Sequence, residues 1–209
     1  MVMKKAYELK AAHLKKEFAR RNIESFYCDN KEDAVEKILQ LIEDGKSVTW
    51  GGATTLNEIG IKEKLEAGNY DVIDRDKYVG PERMQKMRDA FSANYYLTSS
   101  NAVTLDGQLV NIDGNGNRVA AISFGPDKVI FVVGINKVVK TLEAAYDRVR
   151  NIASPPNALR LNLDTPCGKT GVCHDCLSKD CICGQVLVTR YNKIDDRIKV
   201  IIVGENLGY

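Results

Sequence analysis

Five of the six cysteines lie in one short stretch: Cys167, Cys173, Cys176, Cys181 and Cys183, spaced C-x5-C-x2-C-x4-C-x-C. Thiolates at such spacing chelate zinc or an iron–sulfur cluster well, because one loop supplies several soft ligands. His174 can replace one thiolate, and Gly168, Gly171 and Gly184 let the loop turn. The spacing matches neither a zinc knuckle nor the bacterial ferredoxin run. Three readings stand side by side: a metal site, a thiol/disulfide device, and inert structural cysteines. Cys28 stands apart on a predicted strand and reads as core packing, and His13 reads as a surface residue.

Three other stretches carry possible binding chemistry. Thr49 to Thr55 (TWGGATT) ends a predicted strand and opens a predicted helix. Gly51 and Gly52 let backbone approach a ligand closely, a helix N-terminus offers free N–H groups to an anion, and Thr54 and Thr55 add hydroxyls. The plain alternative is a tight turn. The stretch is neither a Walker loop nor GxGxxG.

Ser99 to Arg118 (SSNAVTLDGQLVNIDGNGNR) places Asn101 and Thr104 just beyond a strand, where open α/β sheets bind ligands. Its Asp106-Gly107 reads as a hairpin turn, and Asp113-Gly114-Asn115-Gly116-Asn117 as a longer one. Asp113 is a candidate general base or polar anchor, and Arg118 a candidate bidentate partner for carboxylate or phosphate. Gly134-Ile135-Asn136-Lys137 follows the apolar strand VIFVV. Lys137 at a helix start opposes the helix dipole, which makes contact with an anion the more natural role.

These residues need a scaffold, and the periodicity supplies one. Residues 3–21 read as a basic amphipathic helix with Tyr7, Leu14 and Phe18 on one face. Strands follow at 25–28, 47–50, 71–73 and 95–100, with helices at about 31–43, 55–66 and 81–92 between them. Asp29 and Glu32 resemble a capping box. Residues 102–133 read as short strands and tight turns, and 138–153 as a long helix stopped by Pro155 and Pro156. Two strands joined by a polar turn, 186–190 and 198–203, close the chain. The expected fold is α/β: a Rossmann-like, mostly parallel sheet flanked by helices, with an antiparallel hairpin region. A single domain over 1–209 is expected, with the amphipathic helix at 1–22 and a Cys-rich loop at 164–184 inserted before the last strands.

Composition narrows the function classes. The 209 residues include 30 Lys and Arg against 28 Asp and Glu, a net charge of +2. Such a balance argues against a dedicated nucleic-acid binder. No apolar run is long enough to span a membrane, and the N-terminus lacks the apolar core of a secretory signal, so a cytoplasmic location is expected. The basic first helix is a candidate contact for homo-oligomers.

The WGGATT corner, SSNAVTLDGQLVNIDGNGNRVAAISFGP, VVGINKVV and ASPPNALRL before the cysteine loop together resemble the LUD family of lactate utilization protein C, over nearly the whole chain. The resemblance implies a fold like that of the ribose-5-phosphate isomerase, glucosamine-6-phosphate deaminase and CoA-transferase superfamily. It also implies a site at Gly51, Gly52, Thr54, Asn101, Thr104, Asp113, Gly114, Gly116, Asn117, Arg118, Asn136 and Lys137. The implied role is binding of a small anionic metabolite in L-lactate or related organic-acid utilization. Iron–sulfur or flavin proteins are the implied partners, and a non-catalytic subunit role or a metal- or redox-sensing Cys module are alternatives. Two activities of the superfamily are disfavoured. The paired carboxylates of the isomerases are replaced by Asn101 and Thr104, and no Glu lies between Glu82 and Glu143 to serve as the CoA-transferase nucleophile.

Overall fold

The alternating strand and helix signals resolve into two sheets in a computed structural model that describes residues 2–209. The chain runs α1 (Val2–Arg20), β1 (Glu24–Cys28), α2 (Lys31–Leu41), β2 (Ser47–Trp50), α3 (Thr54–Glu58), α4 (Ile61–Ala67), β3 (Asp71–Ile73), α5 (Gly80–Asp89) and β4 (Tyr95–Thr98). It continues through β5 (Ala102–Thr104), β6 (Leu109–Asp113), α6 (Asn117–Ser123), β7 (Lys128–Gly134), β8 (Val138–Val139), α7 (Leu142–Arg148) and α8 (Ser154–Arg160). Then come α9 (Pro166–Thr170), β9 (Gln185–Thr189) and β10 (Ile198–Val203).

Six strands pair all-parallel in the order β1-β10-β7-β4-β2-β3. A mixed sheet, β8-β5-β6-β9, lies beside them, with β5–β6 and β6–β9 antiparallel. This is the α/β architecture that the sequence pattern implies. The central strands are apolar on both faces because helices or the second sheet cover both. On β7, Ile130 and Val132 pack with Ala34 and Ile38 of α2, Leu56 of α3 and Leu65 of α4. Val129, Phe131 and Val133 face the other way, onto α1 and α6.

Several local expectations change. Helix α1 packs one face on the sheet, with Leu14 and Phe18 fully buried, and leaves its basic face exposed. Helix α2 is capped one residue later than Asp29, by Asn30, whose Oδ1 accepts the Asp33 N–H at 2.8 Å. The expected helix over 55–66 breaks at Gly60, which adopts a left-handed φ of 68°. Residues 117–123, expected as part of a strand-and-turn region, form α6.

The prolines do not stop the helix after 138. That segment starts as the short strand β8, and α7 passes through a π turn (Val149–Ala153) into α8. Pro155 and Pro156 sit in the first turn of α8, where a missing N–H is tolerated. The last two strands are not partners: β9 edges the mixed sheet, while β10 fills the middle of the parallel one. Among the described residues no helix is long and apolar enough to cross a membrane.

Candidate functional site

The chain passes from β2 outward to β3, then returns to lay β4 on the other side of β2. Such a reversal opens a crevice at the carboxyl ends of the strands. Here the residues after β2 and β4, and Lys137 beyond β7, border a cavity of about 520 Å³, within the range of small-molecule sites. Arg75, Arg83, Arg160, Lys179 and Tyr209 also line it.

The two glycines after β2 are small for different reasons. A Cβ on Gly51 would stand 2.9 Å from the Tyr96 hydroxyl and 3.2 Å from Arg118 Cδ. A Cβ on Gly52 would stand 3.0 Å from Arg75 Nη2. Both let side chains, rather than a helix end, crowd the crevice. Helix α3, which starts there, has only five residues, so its dipole is weak and recognition falls to side chains.

Arg118 and Asp113 are committed to the scaffold. The Arg118 Nη1 donates to Ser99 O at 2.9 Å and Asn111 Oδ1 at 3.0 Å. Its Nη2 donates to Asn101 Oδ1 at 2.6 Å and Ile112 O at 2.5 Å. The guanidinium therefore pins β6 to the loop after β4, and most of its fork is occupied. The Asp113 carboxylate accepts the N–H groups of Asn115 and Gly116, both at 3.1 Å, and of Arg118 at 2.7 Å and Val119 at 3.3 Å. It starts α6 as a cap, so neither general-base chemistry nor a free anion clamp is its evident task here.

Lys137 differs from its expected placement. No helix begins at the 134–137 corner: residues 135–137 form a 3-10 turn and the chain enters β8. The side chain turns inward and is only 4% exposed. Its Nζ donates to the Thr55 and Ser99 hydroxyls, each at 2.9 Å. Burial first, then the guanidinium groups of Arg148 and Arg118, push this amine down to about 7, and Glu58 opposes them.

Of the residues expected at the site, Gly52, Thr54, Asn101, Asp113, Gly114, Asn117, Arg118 and Lys137 line the crevice. Gly51 and Thr55 support it from behind, through Arg118 and Lys137 respectively. Asn136 holds the last residues in place: its Oδ1 accepts the Leu207 N–H at 3.1 Å and its Nδ2 donates to Gly208 O at 3.3 Å. Gly116, at φ 83°, precedes α6. Thr104 lies elsewhere, in the β5–β6 hairpin, where it donates to Asp106 and accepts the Gln108 N–H.

Sequence reasoning missed Arg75, Arg83, Arg148 and Arg160. Arg75 is the most informative of them. Its side chain is 13% exposed, and its Nε is buried without a hydrogen bond, since the Asp76 carboxylate at 3.7 Å is too distant. The available signal was positional: Arg75 follows β3 by two residues, at the same sheet edge as Gly52. Arg148 is buried in α7 and ties the corners together by donating to Asn101 O at 2.5 Å and Asn136 O at 3.2 Å.

All five clustered cysteines border a second, much smaller cavity of about 20 Å³, together with His174, Asp175 and Arg150. Burial, and then the neighbouring Cys181, Cys173 and Cys176, push the Cys183 thiol up. A hydrogen bond from Ser178 holds Cys176 down. Among the described residues, no three His, Cys, Asp or Glu side chains are arranged to hold a metal ion, and all six cysteines are free. Cys181 and Ile182 also line the large crevice. The wall is tight: a Cβ on Gly114 would stand 3.0 Å from Cys181 O. Cys28 is buried, as expected, and burial raises its thiol to about 11.

Comparison with known proteins agrees with this architecture. A crystal structure of a DUF162 family protein from Deinococcus radiodurans superposes with a TM-score of 0.57 at 12% identity, covering 95% of this chain and 98% of that one. eIF2B beta from Chaetomium thermophilum gives a TM-score of 0.38 at 16% identity, over 54% of this chain and 44% of that one, too low for any argument. No match was found among curated proteins. The LUD domain profile matches residues 11–203, nearly the whole chain, and the chain therefore belongs to the LUD domain family.

Proposed function

We propose that the crevice binds a small anionic metabolite carrying a carboxylate or phosphate. The observation that carries this is the charge of the lining: Arg75, Arg83, Arg118, Arg160 and Lys179 against Asp76, Asp113 and Asp180. Two of those carboxylates are already used. Asp113 caps α6, and Asp76 pairs with Arg83 at 3.1 Å. The remaining field is positive, and the lining is too polar for a lipid tail. Family membership supports a role in L-lactate or related organic-acid utilization in the cytoplasm, beside iron–sulfur or flavin proteins. The test is thermal unfolding with a panel of small carboxylates and phosphates. A true ligand at a hundred times its Kd adds about 2.7 kcal/mol to stability. Arg75→Met should abolish that gain. If no anion in the panel moves the transition, the reading fails.

A second reading concerns the thiol cavity. Its lining holds five cysteines, enough soft ligands for a single ion such as zinc once the thiol side chains rotate inward to coordinate it. At about 20 Å³ the space suits one ion and not a multi-iron cluster without rearrangement of the loop. Elemental analysis of anaerobically purified protein tests this, and absence of both zinc and iron overturns it.

A further inference from the structure

Lys137 lines the crevice in surroundings that favour a neutral amine. Its two hydrogen-bond partners are hydroxyls, Thr55 and Ser99. Their own protons have other acceptors in reach, Leu207 O at 3.4 Å and Ser100 O at 3.5 Å, so both oxygens can face the amine as acceptors. A neutral amine has two N–H groups and a lone pair; two acceptors use the N–H groups and leave the lone pair free. An ammonium would carry a third N–H for which the described residues provide no partner. The charged groups felt by the amine are Arg148 of α7 and Arg118 of α6, both opposing protonation, and Glu58 of α3, favouring it. Desolvation next to cationic groups is a known way to activate a lysine as a nucleophile. The last residues press over it: a Cβ on Gly208 would stand 3.0 Å from Nζ.

We propose that Lys137 forms a Schiff base with the carbonyl carbon of a small anion bound in the crevice, a 2-oxo acid or a phosphorylated aldehyde. The proposal rests on the anion-binding reading above and adds the substrate class and the reacting atom. The Nζ lone pair forms the C–N bond while the carbonyl π electrons move to oxygen. A proton passes from nitrogen to that oxygen, with the Thr55 and Ser99 hydroxyls in place to relay it. The carbinolamine hydroxyl then takes one proton from solvent and leaves as water, and the nitrogen lone pair completes the C=N bond of a protonated imine. No oxidant or reductant is consumed. The imine draws electrons from the adjacent carbon, and the cations of the crevice hold the acid group.

The test is reductive trapping. Protein at neutral pH is incubated with pyruvate, or in a parallel sample with glyceraldehyde 3-phosphate, and treated with sodium borohydride. Intact mass and peptide mapping then locate the adduct. The expected result is a single adduct on Lys137, formed at least about tenfold faster than on any other lysine, since an ordinary lysine is almost wholly protonated at pH 7. Which of the two reagents labels identifies the acid group. Lys137→Met, checked for a native circular dichroism spectrum, should lose the adduct. Protein that is thermally stabilised by either reagent but never labelled at Lys137 overturns the Schiff base and leaves the anion site intact. Labelling spread evenly over surface lysines also overturns it. Labelling at Lys137 with no stabilisation by any anion upholds the Schiff base and overturns the anion reading instead.

Discussion

The amine of Lys137 and the hydroxyl of Thr55 meet at 2.9 Å although 82 residues separate them in sequence. One comes from the corner after β7 and the other from the start of α3, so their contact reports that the two strand ends are correctly joined. The contact also makes stability depend on pH. Burial pushes the folded amine down to about 7, below its ordinary value of 10.5. Between those values the unfolded chain holds a proton that the folded chain has lost. Stability from this group is therefore complete above pH 10.5 and is lost as pH falls toward 7. Chemical denaturation should show a slope of up to about 1.4 kcal/mol per pH unit within that window, absent in Lys137→Met. Equal slopes in both proteins would show that the amine is not depressed.

Arg118 should behave as a structural residue. Its fork satisfies four acceptors on β6, the turn after β4 and Asn101. Arg118→Lys cannot reproduce that geometry, because an ammonium is a point donor. We expect Arg118→Lys and Arg118→Ala both to lose on the order of 3 kcal/mol in urea denaturation, from the uncovered buried acceptors. Near-native stability of Arg118→Lys would contradict this.

Asp113→Ala should lower stability by about 1–2 kcal/mol, because two N–H groups in the turn before α6 and two in its first turn lose their acceptor. Asp113→Asn keeps one acceptor oxygen and should cost less. Comparing the two by thermal unfolding separates capping from charge, and equal losses would assign the effect to charge.

Neighbouring glycines should give different phenotypes. Gly51→Ala pushes against the Tyr96 hydroxyl and Arg118 Cδ, both held in the scaffold, and should destabilise by about 1–3 kcal/mol. Gly52→Ala meets only the end of the Arg75 side chain, which can move. It should leave the melting temperature nearly unchanged and weaken anion binding. Calorimetry on both variants checks the pair, and matching phenotypes would refute the assignment.

For the cysteine loop, thiol titration under anaerobic conditions should find six reactive thiols in denatured, metal-free protein. One equivalent of added zinc should protect several of them in the folded state. Unchanged reactivity with zinc would leave the loop without a metal role.

The strands were legible because parallel strands covered on both faces must be short apolar runs, and VIFVV in β7 and KVIIV in β10 are such runs. The glycine corner and parts of the Asn101-to-Arg118 stretch were legible as crevice lining because they directly follow strands. What their polar groups do was not legible. Asp113 and Arg118 have the chemistry of catalysis or binding, and only the positions of Ser99 O, Asn111 and the α6 N–H groups show that both are occupied. Helix α6 escaped notice because its cap lies on the preceding strand, four residues before Asn117 and among turn-forming residues. Lys137 read as a helix-start cation because the pattern after β7 was apolar enough for a helix. The inward turn depends on the Thr55 and Ser99 hydroxyls, which lie far away in sequence. Arg75 carries no motif, and its role comes from strand adjacency alone.

Strand β10 has a consequence for synthesis. It lies between β1 and β7, and its Lys199 pairs with Glu24 across a separation of 175 residues. During translation the first strand therefore leaves the ribosome long before its only neighbour exists. Until residues 198–203 emerge, β1 and one side of β7 expose unpaired parallel edges. The nascent chain must shelter these edges from other chains, and closure of the sheet, with the crevice above it, waits until β10 has been made.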